Sequence, residues 1–470
     1  MKELSFAIHT LGCKVNTYES DAMAESLKKA GFTEHAFTEK ADVYIINTCT
    51  VTNIADRKSR QMLRRARKLS PDALIVAAGC YVDDAIKNEK LDELIADKVI
   101  DLAVPNKDKG RACELITERL IAEGKITEAK SEDTKKEEKS TGSEVLRMKS
   151  EACGEASPQK KDNRQEQNKN EMFLTQLDGH TRAFIKVQDG CNMFCSYCII
   201  PYVRGKLHSR PTEDSVREIT ALTNNGVAEV VITGIHLTSM GDDLLRLIDR
   251  VQEIDGIKRI RLGSLEPTLI TKETAERMKR FDKLCPHFHL SLQSGSNEIL
   301  KRMNRHYTAE EYLRSCDILK SVYEHPAITT DIIVGFPGET EDNFIETCDF
   351  AEKIGFYEAH VFKYSRRRGT PADRMDNQIT DAVKSERSER LINITNKLSH
   401  DFREYYLDRE CSFLSEELIT LNGKTYETGY TKEYVRCLKE SSDLHTNEIV
   451  TGMSSQLIQQ NGVDESLILM

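Results

Sequence analysis

"GCNMFCSYCIIPYVRGK", Gly190 to Lys206, places Cys191, Cys195 and Cys198 within eight residues, directly after a predicted strand. Thiolates in this density select soft or borderline metals, chiefly zinc and iron–sulfur clusters. A structural zinc site closes on four protein ligands and favours two Cys-x2-Cys pairs. No second pair lies nearby, so zinc would need a distant His180 or His208 as its fourth ligand. An electron-carrying ferredoxin would supply a fourth cysteine in a short motif, and none follows. The simplest remaining answer is a [4Fe–4S] cluster with three protein ligands and one open iron.

The segments on either side say what carries this loop. From Thr181 to about Thr395, "AFIKVQ", "EVVIT", "RIRLG", "FHLSLQ", "TTDIIVG" and "AHVFKY" read as six strands, each followed by a helical or loop segment. Six βα units predict a partial (β/α)6 barrel; a complete one would need two more. Functional loops of a parallel barrel lie at the carboxyl ends of its strands. Gly234, Ser264, Glu266, Gln293, Gly335 and Gly338 fall there. A glycine admits close backbone approach and Glu266 offers two acceptors for a diol; the plain alternatives are chain turns and a surface carboxylate.

Upstream, "LSFAIHT", "DVYIINT", "ALIVAAGC" and "VIDLAV" alternate with helical patterns over residues 1–124, which predicts a flavodoxin-like parallel α/β sheet. Residues 125–172 contain no aromatic residue and abound in Lys, Glu, Ser and Gln, the composition of a flexible linker or insertion. The barrel domain is expected over 173–404. Residues 405–470, with "KTYETGYTKEYVRCLK", alternate as β structure and predict a small barrel.

Hydrophobic content of 39% against 31% charged residues describes a soluble globular chain. No apolar run of about eighteen residues appears, so no membrane span is expected. "MKELSFAIHTLGC" reads as a strand entering a loop, not as a signal peptide, and a cytoplasmic location is expected. Thiols stay reduced there, so thirteen cysteines point to metal binding or catalysis. A net charge of −10 argues against indiscriminate coating of nucleic acid and leaves room for a local basic face.

Cys13, Cys49 and Cys80 each end a predicted strand of the first domain. Single cysteines are often small core residues. Three at the carboxyl edge of one parallel sheet, where open α/β sheets build their sites, can hold a second cluster, again with an open iron. Cys113, Cys153, Cys285, Cys316, Cys348, Cys411 and Cys437 stand in helical, linker or tail contexts and read as structural.

Cys-x3-Cys-x2-Cys, with Tyr197 before its last cysteine, resembles the signature of the radical S-adenosylmethionine (SAM) superfamily. The resemblance implies that the amino and carboxylate groups of SAM fill the open iron. It also implies that Tyr197, Gly234, Ser264, Glu266, Gln293, Gly335 and Gly338 surround SAM. "GCKVNTYESDAM", "INTCTVTNIADRKSRQ" and "AAGCY" resemble the amino-terminal domain of methylthiotransferases, and "RLGSLEP", "SLQSGSNEILKRMNRHYT", "GFPGETEDNF" and "FKYSRRRGTPADRM" continue the match. That family implies an auxiliary [4Fe–4S] cluster on Cys13, Cys49 and Cys80, two SAM per turnover, and a small flavodoxin or ferredoxin as electron donor. "GYTKEYVR" alone resembles the family's RNA-binding TRAM barrel.

The chemistry explains two clusters. A methylthio group on a purine replaces an aromatic C–H whose proton no side-chain base removes near neutral pH. A 5′-deoxyadenosyl radical takes the hydrogen atom instead, and the second open iron is a place to present sulfur. The cofactors carry the hard steps, so no general base is assigned.

"NIADRKSRQMLRRARKL", Asn53 to Leu69, reads as a helix with an apolar stripe of Ala55, Met62, Ala66 and Leu69. Arg57, Lys58, Arg60, Arg64, Arg65, Arg67 and Lys68 fill the rest against a single acid, Asp56. Charge runs are usually solvated faces; this one, just after Cys49 in an acidic chain, favours phosphate contact. Arg366, Arg367 and Arg368 are expected to add to it. RNA is commonly read at unstacked loop bases, and "GCKVNTYES" resembles the branch acting on N6-threonylcarbamoyladenosine beside the tRNA anticodon. A monomeric tRNA methylthiotransferase is expected. The alternatives are the same chemistry on isopentenyladenosine, a non-catalytic Fe–S carrier, and a zinc-dependent RNA-binding module.

Overall fold

The computed structural model describes residues 4–126, 171–177, 181–460 and 464–470. Most of the polar stretch, with Cys153, and also His180, lie outside the described residues.

The first domain is a five-stranded parallel sheet in the order β2-β1-β3-β4-β5. Its strands are β1 (Ser5–Thr10), β2 (Thr33–Glu34), β3 (Val43–Thr48), β4 (Leu74–Gly79) and β5 (Leu102–Val104). "VYIINT" and "LIVAAG" are buried at every position, as central strands covered on both faces must be. Alternate residues serve opposite layers. Phe6, Val43, Ile45 and Val76 meet Met23 and Leu27 of α1 (Lys14–Lys29) on one side. Ala7, Tyr44, Ile46 and Ile75 meet Leu63 and Ala66 of α2 (Asn53–Leu69) and Tyr81 and Val82 of α3 (Cys80–Lys87) on the other. The two-residue, exposed β2 has no apolar pattern and was not foreseen.

The second domain is the expected partial barrel. Its parallel strands are β6 (Arg182–Lys186), β9 (Glu229–Thr233), β10 (Arg259–Leu262), β11 (His287–His289), β12 (Ala327–Val334) and β13 (Glu358–Lys363). A short ribbon, β7 (Gln188–Asp189) with β8 (His208–Ser209), frames the cysteine loop. Two three-stranded sheets, β6-β9-β10 and β11-β12-β13, are joined by parallel bridges Ile260↔Leu284 and Leu265↔Leu290. Ala183, Ile185, Val230, Ile232, Ile260, Leu262, Phe288 and Ile332 face the outer core. The intervening residues, among them Arg182, Glu229, Arg261, His287, His289 and Asp331, therefore face the lumen. α1 lies along β6.

The last region closes into a five-stranded barrel of β14 (Glu410–Leu421), β15 (Lys424–Tyr430), β16 (Arg436–Glu440), β18 (Asp464–Leu469) and β17 (Ile449–Gln460). Guanidinium groups fasten it to the partial barrel. Arg261 donates to Lys432 O and Thr431 O, both at 2.7 Å, and Arg259 donates to Tyr430 O and Ser412 O. Tyr434 stacks on Tyr430 with centroids 4.5 Å apart and lies under Arg261. Among the described residues no helix is long and apolar enough to cross a membrane.

Candidate active site

The loop Gly190–Lys206 leaves β7 at a residue that only glycine fills: Gly190 has φ +71°, and a Cβ there would collide with the Lys206 carbonyl. Within the loop Cys198 N donates to Cys195 O at 2.9 Å, and Met193 N approaches Cys191 Sγ at 3.5 Å. Burial raises the Cys191 thiol and pushes Cys198 up to about 12. A residue the sequence reading passed over completes this side: Arg305 donates to Cys195 Sγ at 3.1 Å and to Glu266 Oε1 at 2.9 Å. One of the two Glu266 oxygens is thus held. Arg305 stands inside "NEILKRMNRHYT", but nothing in its spacing announces a reach across the barrel.

The other loop-end positions are each constrained by their own backbone and neighbours. Gly234 leaves no room for a side chain, since a Cβ would lie 2.8 Å from Gln188 Oε1, and Gln188 donates to Asp189 O and Gly190 O at the loop's entrance. Ser264 is exposed. Gln293 is buried with φ +71° and exchanges backbone hydrogen bonds with β12 residues Asp331 and Ile333. Gly335 and Gly338 also have positive φ, and a Cβ would strike Lys384 at the first and Arg302 at the second. Tyr197 packs with Ile299, Met303 and Phe336. His208 is exposed.

The second trio is assembled by sheet register. Thr10 pairs with Asn47 and Thr48 with Gly79, so the residues that follow these pairs turn out of adjacent strands side by side. Each cysteine also opens or precedes a helix: Cys13 caps α1, Cys49 precedes α2 and Cys80 begins α3. A Cβ on Gly12 would sit 3.1 Å from Cys49 Sγ, and Cys80 and Cys13 are both near enough to oppose ionisation of Cys49. Asn16 ties the loops together, donating to Leu11 O at 2.6 Å and Thr48 O at 3.1 Å. Burial pushes Cys49 up to about 11.

The two trios meet at the stretch between Ile199 and Lys206. Cys80 shares a small buried cluster with Ile199 and Val203, the first of which follows Cys198 directly. Asn106 bridges them, donating to Cys80 Sγ at 3.5 Å and Val203 O at 3.1 Å. Next along, Arg204 is fully enclosed and donates to Asn16 Oδ1 at 2.6 Å, to Glu19 and to Asp189. Lys109 and Lys186 complete the group around Glu19. Burial alone would raise Glu19, but Arg204, Lys109 and Lys186 hold it well below the usual carboxylate range. Arg204 is thus one side chain removed from the loops carrying Cys13 and Cys49.

Among the described residues no group of three His, Cys, Asp or Glu donors is placed to close on a single metal ion. Each trio is therefore judged by its donor chemistry. Both offer three free thiols, the donor type that iron–sulfur clusters take.

Residues 185–351 match the radical SAM superfamily, and residues 5–101 match an uncharacterised family, UPF0004. A threonylcarbamoyladenosine tRNA methylthiotransferase, MtaB, of Bacillus subtilis (strain 168) is 36% identical over 94% of this chain and 92% of its own. The chain belongs to the radical SAM tRNA methylthiotransferases. A tRNA-2-methylthio-N(6)-dimethylallyladenosine synthase of Thermoanaerobacter sp. (strain X514) is 35% identical over 85% of this chain and 79% of its own. In fold, the chain is similar to a radical SAM methyltransferase from Kitasatospora setae, with a TM-score of 0.51 and 19% identity over 79% of this chain and 74% of that one.

Membership implies a [4Fe–4S] cluster and SAM, and Cys191, Cys195 and Cys198 fit the first: three thiols share one loop and a guanidinium donates to one of them. In this methylthiotransferase the basic helix divides. Arg57, Lys58, Arg64, Arg65 and Lys68 are exposed, and Arg60 lies 5.9 Å from the Tyr81 ring. Arg67 is spent on Lys98 O, Pro71 O, Ala73 O and Asp101. Arg367, expected at the RNA, is instead only 4% exposed and bound to Asp56 at 2.5 Å, Thr50 at 2.7 Å and Asn53 at 3.1 Å. It pins the stretch after Cys49 to the loop after β13, and its remaining donor, Nε, is buried out of reach of phosphate. The buried stripe of α2 is Ser59, Leu63 and Ala66, one residue off the expected Met62. Its Ser59 hydroxyl donates to Cys49 O at 3.0 Å, which locks the helix to the cysteine.

Proposed function

We propose that this enzyme converts N6-threonylcarbamoyladenosine at position 37 of tRNA to its 2-methylthio derivative, using two SAM per turnover and a second [4Fe–4S] cluster on Cys13, Cys49 and Cys80. The observation that carries the reading is the junction at Cys80, which packs on the residue following Cys198. When bound, the two clusters with SAM supply a radical that takes the C2 hydrogen atom and a sulfur for the same carbon. The chain's own residues do the rest. Asn16, Asn106 and Arg204 fix the two cysteine sets against each other. Arg305 holds Glu266 beside the barrel cysteines. The exposed cations of α2 offer phosphate contacts at the rim of the sheet edge that carries Cys49, where a backbone-binding face serves any anticodon stem.

The threonylcarbamoyl substrate is favoured by the relative from Bacillus subtilis, which shares nearly full length on both sides. The dimethylallyl reading follows from relatives of similar identity over a smaller share of the chain. On this proposal the enzyme works as a cytoplasmic monomer and draws electrons from a small flavodoxin or ferredoxin. Deleting the gene and analysing tRNA nucleosides by mass spectrometry tests it. The 2-methylthio threonylcarbamoyl nucleoside should vanish; its persistence, with loss of the dimethylallyl product, would transfer the assignment to the second reading.

A further inference from the structure

The inner face of the partial barrel is left unfilled at its last strand. On β13, Ala359 and Val361 pack against the outer core, so His360 and Phe362 point to the lumen face. Ring contacts agree: His360 lies 6.1 Å from His289 of β11 and 6.5 Å from Phe362. Barrel interiors are ordinarily packed with side chains. Phe362 is nonetheless 48% exposed, and among the described residues it is the one exposed large apolar side chain on the six barrel strands. Its contact with His360 is tilted at 54°, so that ring does not cover its face.

Phe362 also stands between the two cysteine trios. Its partner in register on β12 is Ile333. Ile333 packs against the cluster of Met303, Phe336 and Tyr364, as does Tyr197, the residue before Cys198. In the other direction Ser365 follows three residues later, and its hydroxyl accepts from Asn53 N at 3.1 Å. The Asn53 amide donates to Arg366 O at 3.0 Å. Asn53 opens α2, shortly after Cys49. The end of one strand is thus tied to the surroundings of both trios.

We infer that Phe362 is the platform on which the purine ring of the extruded target nucleotide stacks during methylthiolation. The inference rests on the function proposed above only in taking the target to be an adenosine of an RNA loop. On that reading C2 of the purine must lie between the two trios, so the base has to leave its own stack. Extrusion forfeits stacking, and an exposed aromatic ring at the destination offsets the loss. The ring gains its own burial in the same event. Every purine has a π-face, so Phe362 holds the base whatever its N6 carries.

The test uses the full chain, reconstituted anaerobically, with iron content checking that each variant is assembled. The sequence contains no tryptophan, so Phe362→Trp carries a single indole at the platform. An anticodon stem-loop bearing threonylcarbamoyladenosine should quench its emission, as stacked purines quench indole. The same stem-loop made abasic at that nucleotide should not. Phe362→Leu keeps an apolar side chain without a ring face. It should lower kcat/KM about five- to hundredfold, the worth of one base–aromatic stack, and Phe362→Tyr should recover most of it. The wild type should prefer the base-bearing stem-loop to the abasic one by a similar factor, and Phe362→Leu should bind the two alike. Equal quenching by both stem-loops, or an undiminished preference in Phe362→Leu, would overturn the inference while leaving the function intact. A wild type that methylthiolates neither a threonylcarbamoyl nor a dimethylallyl stem-loop would instead remove the function reading, and the role of Phe362 with it.

Discussion

Cys191, Cys195 and Cys198 share one loop, while Cys13, Cys49 and Cys80 come from three loops of a sheet. The first set is brought together by covalent proximity: any chain that turns after β7 gathers them. The second exists only where β1, β3 and β4 pair in register, since a one-residue slip would turn every side chain to the opposite face. One site is therefore local and the other depends on the whole first domain, and they are bolted together by Arg204 and Asn106.

The comparison breaks most sharply at the cysteines. Replacing Cys191, Cys195 and Cys198 by Ala should abolish SAM cleavage and methylthiolation together. Replacing Cys13, Cys49 and Cys80 by Ala should abolish methylthiolation alone, with iron falling from about eight to about four per chain, as two cubane clusters require. Iron and sulfide analysis beside 5′-deoxyadenosine assay decides it; unchanged iron would remove the second cluster.

Arg204→Gln comes next. It takes one cation from a buried cluster in which Lys109 and Lys186 still face Glu19 and Lys186 still faces Asp189, a loss of about 3 kcal/mol, the lower end for a broken buried pair. Thermal unfolding of the iron-free chain should show it as a large drop in melting temperature. A melting curve that overlays the wild type would show that the junction is not held there.

Two glycines sharpen the contrast at smaller cost. Gly79→Ala places a Cβ 2.9 Å from Asn47 Oδ1 at φ +95°, beside Cys80, whereas Gly190→Ala strains the loop of Cys191. Each should cost roughly 1–3 kcal/mol. Gly79→Ala should reduce iron at the sheet trio and leave SAM cleavage, and Gly190→Ala should do the reverse; equal effects on both activities would mean that the trios are not separable.

The mildest effect is one of pH. Burial pushes Cys49 up to about 11 and Cys198 up to about 12, so the fold favours their protonated forms. That stabilisation is complete below the ordinary thiol value near 9 and is lost as pH climbs through the raised values. The iron-free chain should therefore lose stability from about pH 9 upward, by a smaller margin in Cys49→Ala. Metal loading must expel the same protons, so iron uptake should quicken with pH between about 7 and 9. Flat profiles in both measurements would contradict buried, protonated thiols.

Strands and cysteine spacing were legible because periodicity and chain proximity are written residue by residue. "VYIINT" and "LIVAAG" could hardly be anything but central strands. The misreadings share one cause. Arg367 and Arg67 carry the charge expected of RNA contacts, but their partners lie on other segments: Asp56, Thr50 and Asn53 for one, Asp101 and three carbonyls for the other. Leu63 replaced Met62 at the centre of α2 because the angle at which a helix meets its sheet is set by packing, not by its own sequence.

By itself the sequence determined that two sets of three thiols exist, that one sits beside a partial barrel's first strand, and that a parallel sheet precedes it. Tertiary structure alone decided that Cys80 lies against Ile199 and that Arg305 reaches Cys195. The reason is physical: periodic patterns and short spacings are properties of neighbouring residues, whereas the pairing of buried charges depends on which distant segments share a low-dielectric interior.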